Sequence, residues 1–235
     1  MSATHPVTSV KAAAMAGFLS VPLGVAGVLI DRMWAFPETG ASAAEIAGFI
    51  GVHRSALLVA MVLTTANVVL WLVFGVGVWL RLREATGGET VFSASFLAGL
   101  VSFVTLILAG FAVFFVLIYR APEPFDSRLM YDISFGLLAI SGVPTALALC
   151  SYAAQVFRDR SLPVWTAVVA VLAASGHLLL LASLAIRSGL FSLEGPVIIA
   201  VPAVLFAWIL CMSIVLLRDC PREGPLSPEG GSLSR

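Results

Sequence analysis

A chain of 235 residues that is 60% hydrophobic and only 11% charged, with a formal net charge of zero and a mean hydropathy of +1.05, lies outside soluble composition, where about a quarter of residues are charged. Balanced charge leaves neither a basic footprint for nucleic acid nor a polybasic anchor for anionic lipid. No polar stretch is long enough to bury a core of its own, which excludes a separate water-soluble domain.

Six runs free of Asp, Glu, Lys and Arg fill most of the chain: residues 12–30, 55–80, 91–119, 133–157, 161–186 and 195–217. A hydrocarbon core of roughly 30 Å needs about 20 apolar helical residues, and a charge at its centre costs about 2.5–3.5 kcal/mol. The expected fold is therefore all-α, a polytopic membrane protein built as a bundle of six transmembrane helices, with a short extra outer helix before span two. Residues 1–11 form a cytoplasmic N-terminal segment, 12–217 the transmembrane domain, and 218–235 a cytoplasmic tail whose Pro, Gly and Ser content predicts disorder.

Lys11 ahead of the first run imitates a secretory signal, but the run has spanning length and five more follow, so it is expected to stay as the first helix. Between spans one and two, Asp31-Arg32-Met33-Trp34 leads through Pro37 to Ser42. Ser42 and Glu45 have the spacing of a capping box. A short helix from about residue 43 to 53 should follow, either lying on the outer face or extending helix two. Span two carries Asn67, and a Gly87-Gly88 turn leads to span three, which holds the small-residue pair Ser95-x-x-x-Gly99 and Thr105. The next connection contains Pro122, Glu123, Pro124 and Asp126 and reads as an ordered cap.

Span four includes Ser141, Gly142, Pro144 and Thr145; span five starts at Leu162-Pro163-Val164-Trp165 and carries His177; span six holds Pro202 and Trp208. Pro22, Pro144 and Pro202 interrupt their helices, either as packing kinks or as ligand-facing breaks. Trp34, Tyr119, Tyr131 and Trp165 sit near span ends, where amphipathic rings favour the headgroup level.

With six spans both termini share a side. Eight of the 13 Lys and Arg residues would lie there (Lys11, Arg81, Arg83, Arg158, Arg160, Arg218, Arg222, Arg235) and five opposite (Arg32, Arg54, Arg120, Arg128, Arg187). Positive charge accumulates on the cytoplasmic side, so the chain is expected in the cell membrane, multi-pass, with cytoplasmic termini. Cys150, Cys211 and Cys220 then avoid an oxidising compartment and no disulfide is expected.

Polar side chains inside a membrane are costly and point to function. At about 1.5 Å per residue, Asn67, Thr105, Ser141, Thr145, His177 and Trp208 fall roughly 15–21 Å below the outer span ends. Asn67, His177 and Trp208 could floor a cavity open to the outer side, with Arg54, Tyr119 and Asp132 as its rim, in a non-enzymatic protein that binds or moves a small amphipathic ligand, membrane lipid being its other expected partner. The competing reading is that Asn67 and His177 bond to each other or to Ser and Thr neighbours and fasten the bundle. Arg54 and Asp132, at equal depth, could pair, or the charged set could be a solvated rim. No HxxH, HExxH, CxxC or phosphate-binding loop occurs, so no metal or cofactor is expected.

Two further functions remain open on the residues alone. One is an intramembrane enzyme acting on a lipid or isoprenoid, with Asp132 or His53 supplying a proton and Trp208, Trp71 and Phe111 stabilising positive charge. The other is a structural partner of another membrane protein, docking through an exposed Ser95–Gly99 face. The segment ahead of span two, the Leu162-Pro163-Val164-Trp165 start of span five and the stretch 202–208 followed by Ile209-Leu210 resemble a broad group of bacterial six-helix integral membrane proteins without an assigned activity. Where that group often carries a Glu before the span-six Trp, this chain has Leu205-Phe206-Ala207. The resemblance implies a fold and no chemistry.

Overall fold

A computed structural model describes residues 5–31, 33–38, 40–121, 126–186, 189–192 and 195–218, with the backbone alone for 5–9, 31, 196, 198 and 199. Expectations for Arg32, for Pro122 to Pro124, for Arg187, for Glu194 and for the tail with Cys220, Arg222 and Arg235 lie outside the described residues, as does the side chain of Asp31. The helices are α1 (His5–Asp31), α2 (Ala43–Thr86), α3 (Val91–Arg120), α4 (Ser127–Ile140), α5 (Gly142–Asp159), α6 (Val164–Leu179) and α7 (Pro196–Arg218), with a 3₁₀ turn at Leu180–Leu184. Six segments are long and apolar enough to cross a membrane, α4 and α5 together making the fourth. The predicted six-span helical fold is the one observed.

The outer helix before span two is the beginning of α2, which runs unbroken for 44 residues. Its start is fixed by the expected capping box: the Ser42 backbone N–H donates to the Glu45 carboxylate at 2.7 Å and the Glu45 N–H returns a bond to Ser42 Oγ at 3.3 Å. These two contacts satisfy two of the donors that a helix start leaves open. The far end closes at Gly87, whose φ of +72° lies in the left-handed region that glycine adopts without strain. Thr90 and Ser93 form a second, unanticipated capping box that starts α3.

The helices close into a ring in the order α1, α2, α3, α5, α6, α7, with α7 returning to α1, while α4 leans on α3. One end of the bundle, here the loop end, carries the connection 33–42; the other, the turn end, carries Gly87 and the start of α6. The turn-end half is packed solid around Phe74, Phe96, Tyr152, Met212 and Leu216. Tyr152 Oη lies 2.6 Å from Thr166 Oγ1 and 2.8 Å from the Met212 sulfur, which joins α5, α6 and α7. The loop end has its own cluster, of Phe36, Ile46, Ile50, Leu57, Phe114, Ile118 and Tyr131.

Two spans change course at the same level. Span four breaks at Ser141, between α4 and α5, and span five tightens into the 3₁₀ turn just after His177. The Ser141 hydroxyl donates to the Leu138 carbonyl at 2.6 Å, and Thr145 Oγ1 donates to the Ser141 carbonyl at 2.7 Å. Side-chain hydroxyls thereby add bonds to backbone acceptors at the interruption, the Ser141 carbonyl also accepting from the Thr145 N–H at 3.1 Å. Beyond this level α4 lies on α3 and the 3₁₀ turn meets both α4 and α7, while α6 stays in the other half with α5 and α7. A space is left among α1, α2, α3, α4, the 3₁₀ turn and α7.

Candidate ligand cavity

That space is a cavity of about 200 Å³. A single water needs roughly 10–15 Å³ on this measure, so the void holds far more than one solvent molecule. Gly24 and Val28 of α1 wall it, with Thr64, Asn67 and Trp71 of α2, Phe103, Ile107 and Phe111 of α3, and Ser134 and Leu138 of α4. His177 and Leu180 close the span-five side, and Pro202, Leu205 and Phe206 the α7 side. Seven Phe and Trp rings line it and, among the described residues, no Asp, Glu, Lys or Arg does.

The floor is an aromatic layer in which Trp71 stacks on Phe103, centroids 5.4 Å apart, and meets Phe206 at 5.7 Å. Beneath it a second void of about 30 Å³ lies against Trp71, Phe96, Thr145 and Trp208. The roof comes from the connection ahead of α2. Phe36 is buried over the cavity, its ring within 5.2–6.4 Å of Phe49, Phe135 and Phe114. Tyr131 Oη donates to the Pro37 carbonyl at 3.0 Å and ties this roof to α4.

Most polar side chains in the wall are already engaged. Thr64 Oγ1 donates to the Ala60 carbonyl at 2.9 Å, Ser134 Oγ to the Gly110 carbonyl at 2.8 Å and Ser141 Oγ to Leu138. His177 Nδ1 lies 2.8 Å from the Ala173 carbonyl. A carbonyl only accepts, so Nδ1 carries the hydrogen and the neutral ring keeps Nε2 as an acceptor. Asn67 is 2% exposed, yet its Oδ1 has no hydrogen-bond partner, and neither has Trp71 Nε1 one turn along the same helix. The mutual Asn67–His177 bond of the bundle-fastening reading is not formed.

Of the six residues singled out from sequence, the structure brings Asn67 and His177 together on one cavity. Trp208 stands below the floor, edge-on to Tyr152 at 5.2 Å and to Phe74 at 5.8 Å, and borders the smaller void. Arg54, Tyr119 and Asp132 do not line the large cavity. Successive helix residues differ by about 100° in direction: Ile118 is buried where Tyr119 is 75% exposed, and Tyr131 is 3% exposed where Asp132 faces out, while Arg54 is exposed beside the half-buried His53 and the exposed Ser55. Asp132 approaches Arg128 of its own helix at 4.0 Å, not Arg54. His53 stacks on Trp34, centroids 4.2 Å apart, away from the cavity lining.

Phe36 and Tyr131 were not legible as site residues. A Phe in a polar connection carries no signal of its own, and a Tyr near a span end reads as a headgroup anchor; here Tyr131 is buried and fastens the roof. The lone hint was Pro37, whose missing N–H leaves a carbonyl-rich turn for a donor to find. Gly99 packs against the backbone of Pro144 and Ala148 on α5, so the Gly99 end of the Ser95-x-x-x-Gly99 face is used inside the bundle, while Ser95 is half-buried.

Fold and cavity together define a six-span helical protein of membrane type with an apolar, aromatic-walled chamber in one half. Neither a family model, nor a curated protein, nor a solved structure matches the chain.

Proposed function

We propose that this protein sits in the cell membrane with both termini in the cytoplasm and binds, inside its loop-end cavity, a small molecule that is mostly apolar with one polar end. The observation that carries the reading is the pair of unpartnered polar atoms, Asn67 Oδ1 and Trp71 Nε1, on residues that wall a 200 Å³ chamber. A buried polar atom left without a partner costs about 1–3 kcal/mol, and more than nine in ten find one. Two such atoms one helical turn apart beside a cavity of this size fit a ligand-binding wall: broad apolar contact with a few polar groups that fix orientation.

Passage through the bundle has less support than binding, because the turn-end half is filled by Phe74, Tyr152, Met212 and Leu216. The enzyme reading rested on Asp132 or His53, and neither reaches the cavity wall. The partner-docking reading needed an exposed Ser95–Gly99 face; α5 covers Gly99, while Ser95 is half-buried.

Thermal unfolding in lipid nanodiscs with menthol tests binding. Wild type should melt at a higher temperature as menthol rises and then saturate, while Ala139→Leu, which extends a wall residue into the void, should lose the saturable shift. Equal shifts in both proteins would place menthol in the bilayer and defeat the reading. For orientation, single cysteines at Gly88 and Gly40 should label with an impermeant maleimide in intact cells only at position 40; labelling only at 88 would invert the topology.

A further inference from the structure

The wall specifies more than apolarity. Asn67 and Trp71, both on the wall, each carry an unused hydrogen-bonding atom, one an acceptor and the other a donor, tucked against the wall so that a small side-chain rotation turns it into the void. His177, on the same cavity, keeps Nε2 as an acceptor because its Nδ1–H is spent on Ala173. The hydroxyls of Thr64, Ser134 and Ser141 have given their protons to carbonyls. Among the described residues no charged side chain lines the wall, so an ionic ligand would enter low-dielectric surroundings without a counter-charge from them, which is strongly disfavoured.

The complement is a neutral group that donates one hydrogen bond, towards Asn67 Oδ1 or His177 Nε2, and accepts one, from Trp71 Nε1. A hydroxyl does both. An ether or ketone oxygen only accepts and leaves the acceptors bare, and a hydrocarbon does neither. We propose that the ligand is a neutral apolar alcohol or phenol, its hydroxyl held among Asn67, Trp71 and His177 and its hydrocarbon body against the ring-lined wall. This rests on the binding reading above and adds the chemical class.

Three compounds of one shape separate the class from the site: thymol, its methyl ether, and p-cymene, which lacks the oxygen. The full chain in nanodiscs is titrated with each at matched bilayer concentration, and the readout is the indole ¹⁵N–¹H resonance of Trp71, assigned by its loss in Trp71→Phe. Thymol should shift that resonance saturably and bind about five- to tenfold more tightly than the other two, the effect of one or two well-made hydrogen bonds. In Asn67→Leu the preference should shrink towards parity while p-cymene still binds. If that variant does not fold, the three-compound comparison on wild type decides by itself. Equal binding of all three, or an ether that matches thymol, would overturn the hydroxyl assignment and leave cavity binding standing. No saturable shift with any compound would overturn both.

Discussion

Gly142 lies directly against the carbonyl oxygen of His177, so that a methyl group at position 142 would collide with that backbone. The contact joins the first residue of α5 to the last turn of α6, at the level where span four breaks and span five tightens. Because the contact is with backbone, the two spans are held there at close approach. Gly142 is not part of the cavity lining, but its neighbour Ser141 and its contact His177 both are.

Gly142→Ala should cost about 1–3 kcal/mol, the usual effect of forcing volume into a packed contact, and should lower binding of any cavity ligand by shifting His177. Gly136→Ala is the matched control. Position 136 sits in α4 with nothing near the place a methyl would occupy, so the same substitution should be neutral or stabilise by about 0.5–1 kcal/mol through helix propensity. Unfolding in nanodiscs or mixed micelles measures both. Equal effects at 142 and 136 would show that the crossing is looser than the geometry implies.

Tyr131→Phe removes one hydroxyl, the one that donates to the Pro37 carbonyl at 3.0 Å, and leaves the ring contact with Phe135 at 4.6 Å intact. Global stability should fall by about 1 kcal/mol or less. The local effect should be larger: amide hydrogen exchange across 33–41 should quicken, since the roof then loses a fastening to α4 and keeps the Phe36 packing and the Trp34–His53 stack. Ligand dissociation should quicken with it. Unchanged exchange over 33–41 would mean that the aromatic cluster, not the hydroxyl, fixes the roof.

How much of this was readable from residues follows from what a bilayer asks of them. Span number and limits were legible because charge at the centre of hydrocarbon is expensive, and the Ser42–Glu45 box was legible because its chemistry is local. Helix faces were not. On α2 the outward residues Val52, Val59, Val62, Val69, Val73 and Val76 are as apolar as the buried Leu57, Val68, Phe74 and Val78. Lipid and core select the same side chains, so periodicity that sorts a soluble helix is silent here. Depth counting found Asn67 and His177 because polar groups are the exception to that rule. It could not tell that Trp208 lies under the Trp71–Phe103 layer, or that Arg54, Tyr119 and Asp132 turn away from it, since depth fixes height and not direction.

Arg54 and Asp132 test that distinction. Each is exposed, and the ion-pair contact of Asp132 is Arg128 at 4.0 Å along its own helix, a class of exposed pair that contributes about 0.3–0.5 kcal/mol at most. Arg54→Glu and Asp132→Arg should each change stability by less than about 0.5 kcal/mol, and the double variant should show no coupling beyond the sum of the two. Ligand affinity should be unaffected in all three. Rescue in the double variant would restore a direct pairing between α2 and α4.

Gln155 is the buried polar residue whose loss should be felt most widely outside the cavity. It is 2% exposed at the turn end of α5, where its Nε2 donates to the Leu82 carbonyl at 2.7 Å and its Oε1 accepts from Thr90 Oγ1 at 3.2 Å. One side chain thus ties span four to the end of α2 and to the cap of α3. The same cap carries Ser93, whose hydroxyl donates to Glu89 at 2.9 Å, and Glu89 in turn meets Arg83 at 2.9 Å. Gln155→Leu removes both bonds, so it should cost about 1–3 kcal/mol, the effect of two hydrogen bonds lost at once, although the Leu82 carbonyl keeps Thr86 and Thr90 Oγ1 keeps Ser93. Hydrogen exchange should rise at the 87–90 turn, on the side of the bundle away from the ligand, while thymol binding to the folded variant stays as in wild type. A loss of binding equal to the loss of stability would show instead that the two halves of the bundle are coupled through α5.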